Sequence, residues 1–227
     1  MKTFLFNTME FARSWSAETL TENLHRDMRV LILPMMANDG WSADILAFHD
    51  ELAESEKLSE PFMRCGIPLS HIRIEDPYDH DRDQMLRMMR GSDILCLVSD
   101  NAGYAMNVLE DLRLADAVKQ FEGIVIGVGE CVRILDRVWT SPGDGEENLG
   151  VGRYYGIGVY PNYVQSSEDL AAIIRYLELN ETEMIVLDLE GGVLFTDEQI
   201  EIIGRAYIAS EKDLDRLYMM YEDDLRL

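Results

Sequence analysis

The sequence predicts an α/β fold, a three-layer sandwich with a mainly parallel central sheet and a C-terminal hairpin. Three observations carry this expectation. Short β-branched and aliphatic runs alternate with segments of helical spacing, whereas segregated strands and helices would point to another class. Each intervening segment is long enough to cross over between parallel strands. The 227 residues, 47% of them hydrophobic, can bury a large core within one domain, taken as 1–227.

Taken in order, strands are expected at Thr3 to Phe6, Arg29 to Leu33, His71 to Ile74, Asp93 to Val98 and Ile124 to Val128. Helices are expected at Ala43 to Leu58, at Asp81 to Arg90 with Met85, Leu86, Met88 and Met89, and at Ala105 to Phe121 with Val108, Leu109, Leu112 and Val118. A Gly-rich stretch from Pro142 to Gly158 precedes a Ser-capped helix that starts near Ser167 and carries Leu170, Ile173, Ile174 and Leu177. Met184 to Leu187, Val193 to Phe195 and Ile200 to Ile203 read as strands of the closing hairpin, with Glu190, Gly191 and Gly192 supplying a turn. The segment 210–227, with Leu214, Leu217, Tyr218, Tyr221 and Leu225 on one face, is an amphipathic helix expected to dock on its own domain.

Charge narrows the function classes. Twenty Lys and Arg against forty-three Asp and Glu give a formal charge of −23, a field that repels phosphate backbones and anionic headgroups. Nucleic acid is not an expected partner, since no basic patch stands out in the sequence to release counterions. No apolar run has the length of a membrane span, and the apolar start Phe4 to Phe6 is too short for a signal peptide, so a cytoplasmic location is expected. Cys65, Cys96 and Cys131 form no C-x-x-C pair, and His25, His49 and His71 are scattered. Reduced thiols and no metal or cofactor are therefore expected. The run Asp76 to Asp83 lacks EF-hand spacing and reads as a solvated turn that caps the next helix.

The chemistry-bearing pattern lies at the end of the Ile124 to Val128 strand. Gly127, Val128, Gly129, Glu130, Cys131 and Val132 lead from a buried strand into a helical run through Leu135 and Val138, expected as a helix over 130–138. This is the outline of a nucleophile elbow, in which a tight turn lifts Ser or Cys above the sheet and backbone N–H groups stabilise an oxyanion. Gly129 stands at the nucleophile position. A dinucleotide fingerprint is the rival reading, but the third glycine is missing and Glu130 opposes pyrophosphate.

With that turn located, the chain resembles the peptidase E (aspartyl dipeptidase) and cyanophycinase family of serine peptidases from Met1 to about Tyr207. Its strand Arg29 to Leu33 closing in Pro34 is similar to the family's Ile-Pro strand. Ser99, Asp100, Asn101 and Ala102 stand where the family has Gly-Gly-Asn-Thr, and Tyr160, Pro161, Asn162 and Tyr163 resemble its Pro-His-Phe or Pro-His-Tyr. Leu187 to Gly204 resembles its closing hairpin. The resemblance implies a flavodoxin-like sheet of the class I glutamine amidotransferase type, and a Ser nucleophile, a His base and an acid around a cleft.

The departures bear on activity. Gly129 replaces the Ser and Asn162 the His; Asp144, in the loop Ser141 to Gly145, falls where the acid is implied. Glycine has no nucleophilic oxygen, and a neutral amide does not shuttle protons near neutral pH. Ser99 and Asp100 replace the glycines beside the oxyanion, and Glu130 either offsets the helix dipole or occupies the former oxyanion site. Cys131 and Cys96 read as packed side chains. Two functions stay open: a non-catalytic relative that binds a small molecule or peptide in the cleft, as a monomer or homodimer, or an active hydrolase with Cys131 or Ser99 as displaced nucleophile.

Overall fold

The computed structural model describes residues 1–36, 51–140, 146–180 and 182–224. The first strand, β1 (Lys2–Phe6), is followed by a short helix α1 (Ala17–Asn23) and by β2 (Val30–Pro34). Then come α2 (Glu51–Arg64), β3 (Ile72–Ile74), α3 (Arg82–Arg90), β4 (Ile94–Ser99), α4 (Ala102–Asp111), α5 (Ala115–Lys119) and β5 (Ile124–Gly129). All five predicted strands of this half are present. Of the expected helix Ala43 to Leu58, positions 43–50 lie outside the described residues, and the part described continues to Arg64.

β1, β5, β4, β2 and β3 lie side by side in that order, every pair parallel. Along each strand, alternate side chains enter different cores, as the two-residue repeat of a strand demands. Leu5, Leu31, Leu33, Leu95, Leu97 and Val125 face α3, α4 and α5, whereas Phe4, Phe6, Ile32, Cys96, Ile126 and Val128 face the side covered by α1 and α2. Helices thus lie on both faces. The run Asp76 to Asp83 is a capping turn: Asp76 accepts from the Tyr78 N–H at 2.9 Å, and Asp81 caps α3 in a reciprocal box with Gln84.

The second half departs more from expectation. The single helix expected over 105–121 is two helices, α4 and α5, because Arg113 takes a φ of +53° and the Leu114 N–H reaches back to the Leu109 carbonyl at 2.7 Å. A left-handed residue of this kind closes a helix. After β5, the helix expected over 130–138 is one turn only, α6 (Cys131–Ile134). Residues 150–153 cross its end: the N–H groups of Val151, Arg153, Gly152 and Gly150 donate to the carbonyls of Ile134, Leu135, Asp136 and Arg137. Those carbonyls have no helical partner to take. Val138 instead begins β6 (Val138–Thr140), which pairs antiparallel with β7 (Glu147–Leu149).

β8 (Gly158–Tyr160) and the helix α7 (Ser167–Asn180) lead to the closing hairpin of β9 (Met184–Thr196) and β10 (Ile200–Ala209). Here the expected turn at Glu190, Gly191 and Gly192 is absent. β9 continues through it, with Gly191 paired to Gly204 of β10, Gly192 paired to Phe6 of β1 and a bulge at 188–190, and the chain reverses at 197–199. The glycines serve close approach: a Cβ on Gly192 would strike the Phe6 ring, and one on Gly191 the Arg205 carbonyl. β8 joins β9 in parallel, and α8 (Leu214–Asp224) buries Leu217 in a third core with Leu170, Ile173 and Leu177 of α7. The amphipathic C-terminal segment therefore packs on its own chain; its 225–227 end lies outside the described residues. No helix among the described residues is long and apolar enough to cross a membrane.

Candidate functional site

The carboxyl ends of parallel strands are where α/β sheets present their side chains to ligands. Gly129 closes β5 with a φ of +64°, a conformation that L side chains rarely adopt, and the next residue already opens α6. Ser99 of β4 pairs with Gly129, and the Glu130 N–H donates to the Ser99 carbonyl at 2.8 Å. On the other flank Phe6 of β1 pairs with Val128, which brings Asn7 to the same end of the sheet.

Glu130 and Asn162 meet. The Asn162 side-chain amide donates to Glu130 Oε1 at 3.1 Å, while Glu130 Oε2 holds Arg133 Nε at 2.8 Å. Arg133 is 7% exposed, and its guanidinium lies 4.7 Å from the centre of the Tyr160 ring. Tyr160 in turn donates to Asp169 Oδ1 at 3.0 Å, and Asp169 Oδ2 accepts from the N–H groups of Val164 and Ser166. Asn162 itself stands at a φ of +59°, which asparagine tolerates better than most residues. Its N–H donates to Asn7 Oδ1 at 2.9 Å, and Asn7 Nδ2 donates to the carbonyls of Leu187 and Asp188, both at 2.7 Å. One polar network therefore ties the ends of β1, β5 and β8 to Leu187 and Asp188 within β9, with the Glu130 carboxylate at its centre.

The remaining predicted residues have local duties. Ser99 is fully buried; its hydroxyl donates to the Asn101 carbonyl at 2.9 Å and accepts from the Asn101 N–H at 3.0 Å. Asn101 caps α4 through the Tyr104 N–H at 2.8 Å. Asp100 lies close enough to Cys131 to oppose its ionisation. Cys131 is wholly buried, and burial first, then Cys96, Glu130 and Asp100, holds its thiol well above the ordinary range. Its neutral form is the one expected near pH 7. Asp144 lies outside the described residues, as does His49; among the described residues, no histidine hydrogen-bonds to Ser99 or Cys131. His80 is engaged with Glu75 at 2.9 Å. No group of three or more His, Cys, Asp or Glu among the described residues could hold a metal ion.

Sequence reasoning missed Asn7, Arg133 and Asp169. The one signal available was a polar residue directly after an apolar strand, as Asn7 is after Phe6; Arg133 and Asp169 sit in helices and look like solvated charges in sequence. Beside Asn7, a cavity of about 650 Å³ opens between the segment Thr8 to Trp15, α2 and the Leu189–Glu190 stretch of β9.

Solved structures share the fold. A peptidase from an acI-B1 Actinobacterium superposes with a TM-score of 0.65 at 11% identity, over 92% of this chain and 93% of that one. A candidate peptidase E from Listeria monocytogenes EGD-e superposes with a TM-score of 0.68 at 10% identity, over 88% and 96%. The chain has a peptidase E-type fold. At these identities the likeness concerns the fold, which agrees with the mostly parallel sheet, the two helical layers and the closing antiparallel hairpin. No protein-family model matches the chain, and no curated protein matches its sequence.

Proposed function

We propose that this chain is a peptidase E-like protein whose serine-hydrolase site is degenerate and which acts by binding a small molecule or peptide. The observation that carries the reading is the Glu130 carboxylate bound at once to Asn162 and Arg133, next to a glycine at the turn. If the turn at Gly129 is the elbow, Glu130 and Asn162 close the gap between the nucleophile and base positions with a structural hydrogen bond. Neither glycine nor a neutral amide replaces the chemistry of Ser and His. The Glu130 N–H, the donor that follows an elbow nucleophile, is already given to Ser99. A carboxylate at that spot also opposes the second negative charge of a tetrahedral intermediate.

The alternative nucleophiles gain no support. Cys131 is buried with its thiol held neutral, and the Ser99 hydroxyl is committed to Asn101. The cavity that begins at Thr8 falls within the roughly 300–1,000 Å³ of small-ligand sites; Arg13 and Glu10 at its rim pair with each other at 2.7 Å, an ion pair that a charged peptide terminus would exchange with.

The test is turnover of an Asp-containing dipeptide by the native chain, Gly129→Ser, and the double variant Gly129→Ser with Asn162→His. Background rates for the first two are expected, since a triad acts as a unit. Turnover by the native chain that Cys131→Ala abolishes would overturn the reading.

A further inference from the structure

Far from Glu130, at the amino ends of β2, β3 and β4, a cavity of about 350 Å³ is lined by Arg29, Arg73 and Arg87 together with Ser70, His71 and Ser92. Arg29 immediately precedes β2, His71 precedes β3, and Ser92 lies just before β4, so the cavity opens at the end of the sheet opposite the Glu130 site. No carboxylate lines it, in a chain with more than twice as many acidic as basic residues. Arg29 has a weak partner in Asp93, at 3.5 Å. Among the described residues, Arg73 and Arg87 have no ion-pair partner at all. The His71 Nδ1 atom is buried without a hydrogen-bond partner.

Helix-end compensation explains Arg87, in the last turn of α3, but not Arg73 on a strand or Arg29 in a loop. Among the described residues only Arg29 has an acid beside it, and an anion between the three guanidinium groups would offset their mutual repulsion. The planar guanidinium fork matches phosphoryl oxygens in bidentate pairs, and the His71 ring in the cavity wall reports on an anion bound there. The chain's overall negative field does not forbid this. At physiological ionic strength the Debye length is about 8 Å, so distant carboxylates are screened while the lining residues are not.

We propose that this cavity binds the phosphoryl group of a small phosphate ester or pyrophosphate compound. Its volume lies at the lower end of the roughly 300–1,000 Å³ range of small-ligand sites, larger than one phosphate needs and too small for a polymer. Such a site would be independent of the cleft at the carboxyl ends of the strands, so ligands at the two need not compete.

Titration of the full chain with inorganic phosphate and with pyrophosphate, at constant pH and ionic strength, tests this through the His71 ring resonances, assigned by their loss in His71→Gln. A saturable shift of His71 is expected, with pyrophosphate the tighter probe. Replacing Arg73 and Arg87 together by Gln should weaken binding at least about tenfold, while Arg205→Gln, an exposed change on β10, should leave it unchanged. Absence of a saturable His71 shift with both probes would overturn the proposal, as would unchanged affinity in the double variant. Equal affinity for a duplex oligonucleotide would replace it with a nucleic-acid surface.

Discussion

Gly129 concentrates the conflict between geometry and chemistry in this molecule. Its φ of +64° suits glycine, so a side chain placed there carries backbone strain of about 1–2 kcal/mol. Gly129→Ser should therefore lower stability by that order in denaturant unfolding, and still show no dipeptide turnover, because its hydroxyl would lack a base. Asp136, at the junction after α6, gives a second residue-scale prediction. Burial lifts its carboxyl from the usual 3.8 to about 7, with the Arg137 and Val138 N–H groups countering only part of the rise. The folded state then holds this proton more tightly than the unfolded chain does, so the carboxyl withdraws stability as pH rises from about 4 to about 7, and the loss is complete above that. Asp136→Asn should leave the melting temperature near pH 4 almost unchanged and raise it, relative to the parent, at pH 8.

At the scale of elements, the legible parts were those encoded locally. The five parallel strands read directly from their apolar runs, and the acidic run Asp76 to Asp83 announced the cap of α3. The break between α4 and α5 was hidden because Arg113, not glycine, takes the left-handed position. The shortness of α6 was hidden for a different reason: residues 150–153, remote in sequence, take the carbonyls of Ile134 at its end and of the three residues that follow. Gly191 and Gly192 misled because glycine permits close packing inside a strand as readily as a turn. Their role can be measured. A Cβ on Gly192 would enter the ring of Phe6, which is fully buried and stacks on Phe11 at 4.7 Å, so Gly192→Ala should cost about 1–3 kcal/mol through overpacking. Gly156→Ala, with a φ of +88° but open space around it, should cost only the backbone strain, about 1–2 kcal/mol. Thermal or denaturant unfolding of the two variants separates crowding from strain.

Across the whole molecule, the candidate site was half legible. Gly129, Glu130 and Asn162 stood out in sequence, but the bonds that join them to Asn7 and Arg133 depend on tertiary approach, with Asn7 meeting Asn162 across 155 positions and Leu187 across 180. The charge was legible throughout. A net −23 with three clustered arginines neutralises too few phosphates for polymer binding, so duplex DNA should give no shifted band at physiological salt; salt-sensitive micromolar binding would contradict this. Labelling of the native chain by a fluorophosphonate probe, followed by intact mass alongside Asp-dipeptide turnover, decides whether the proposed degenerate site is silent. An unmodified mass and background turnover are expected, and stoichiometric labelling accompanied by turnover would overturn the non-catalytic reading.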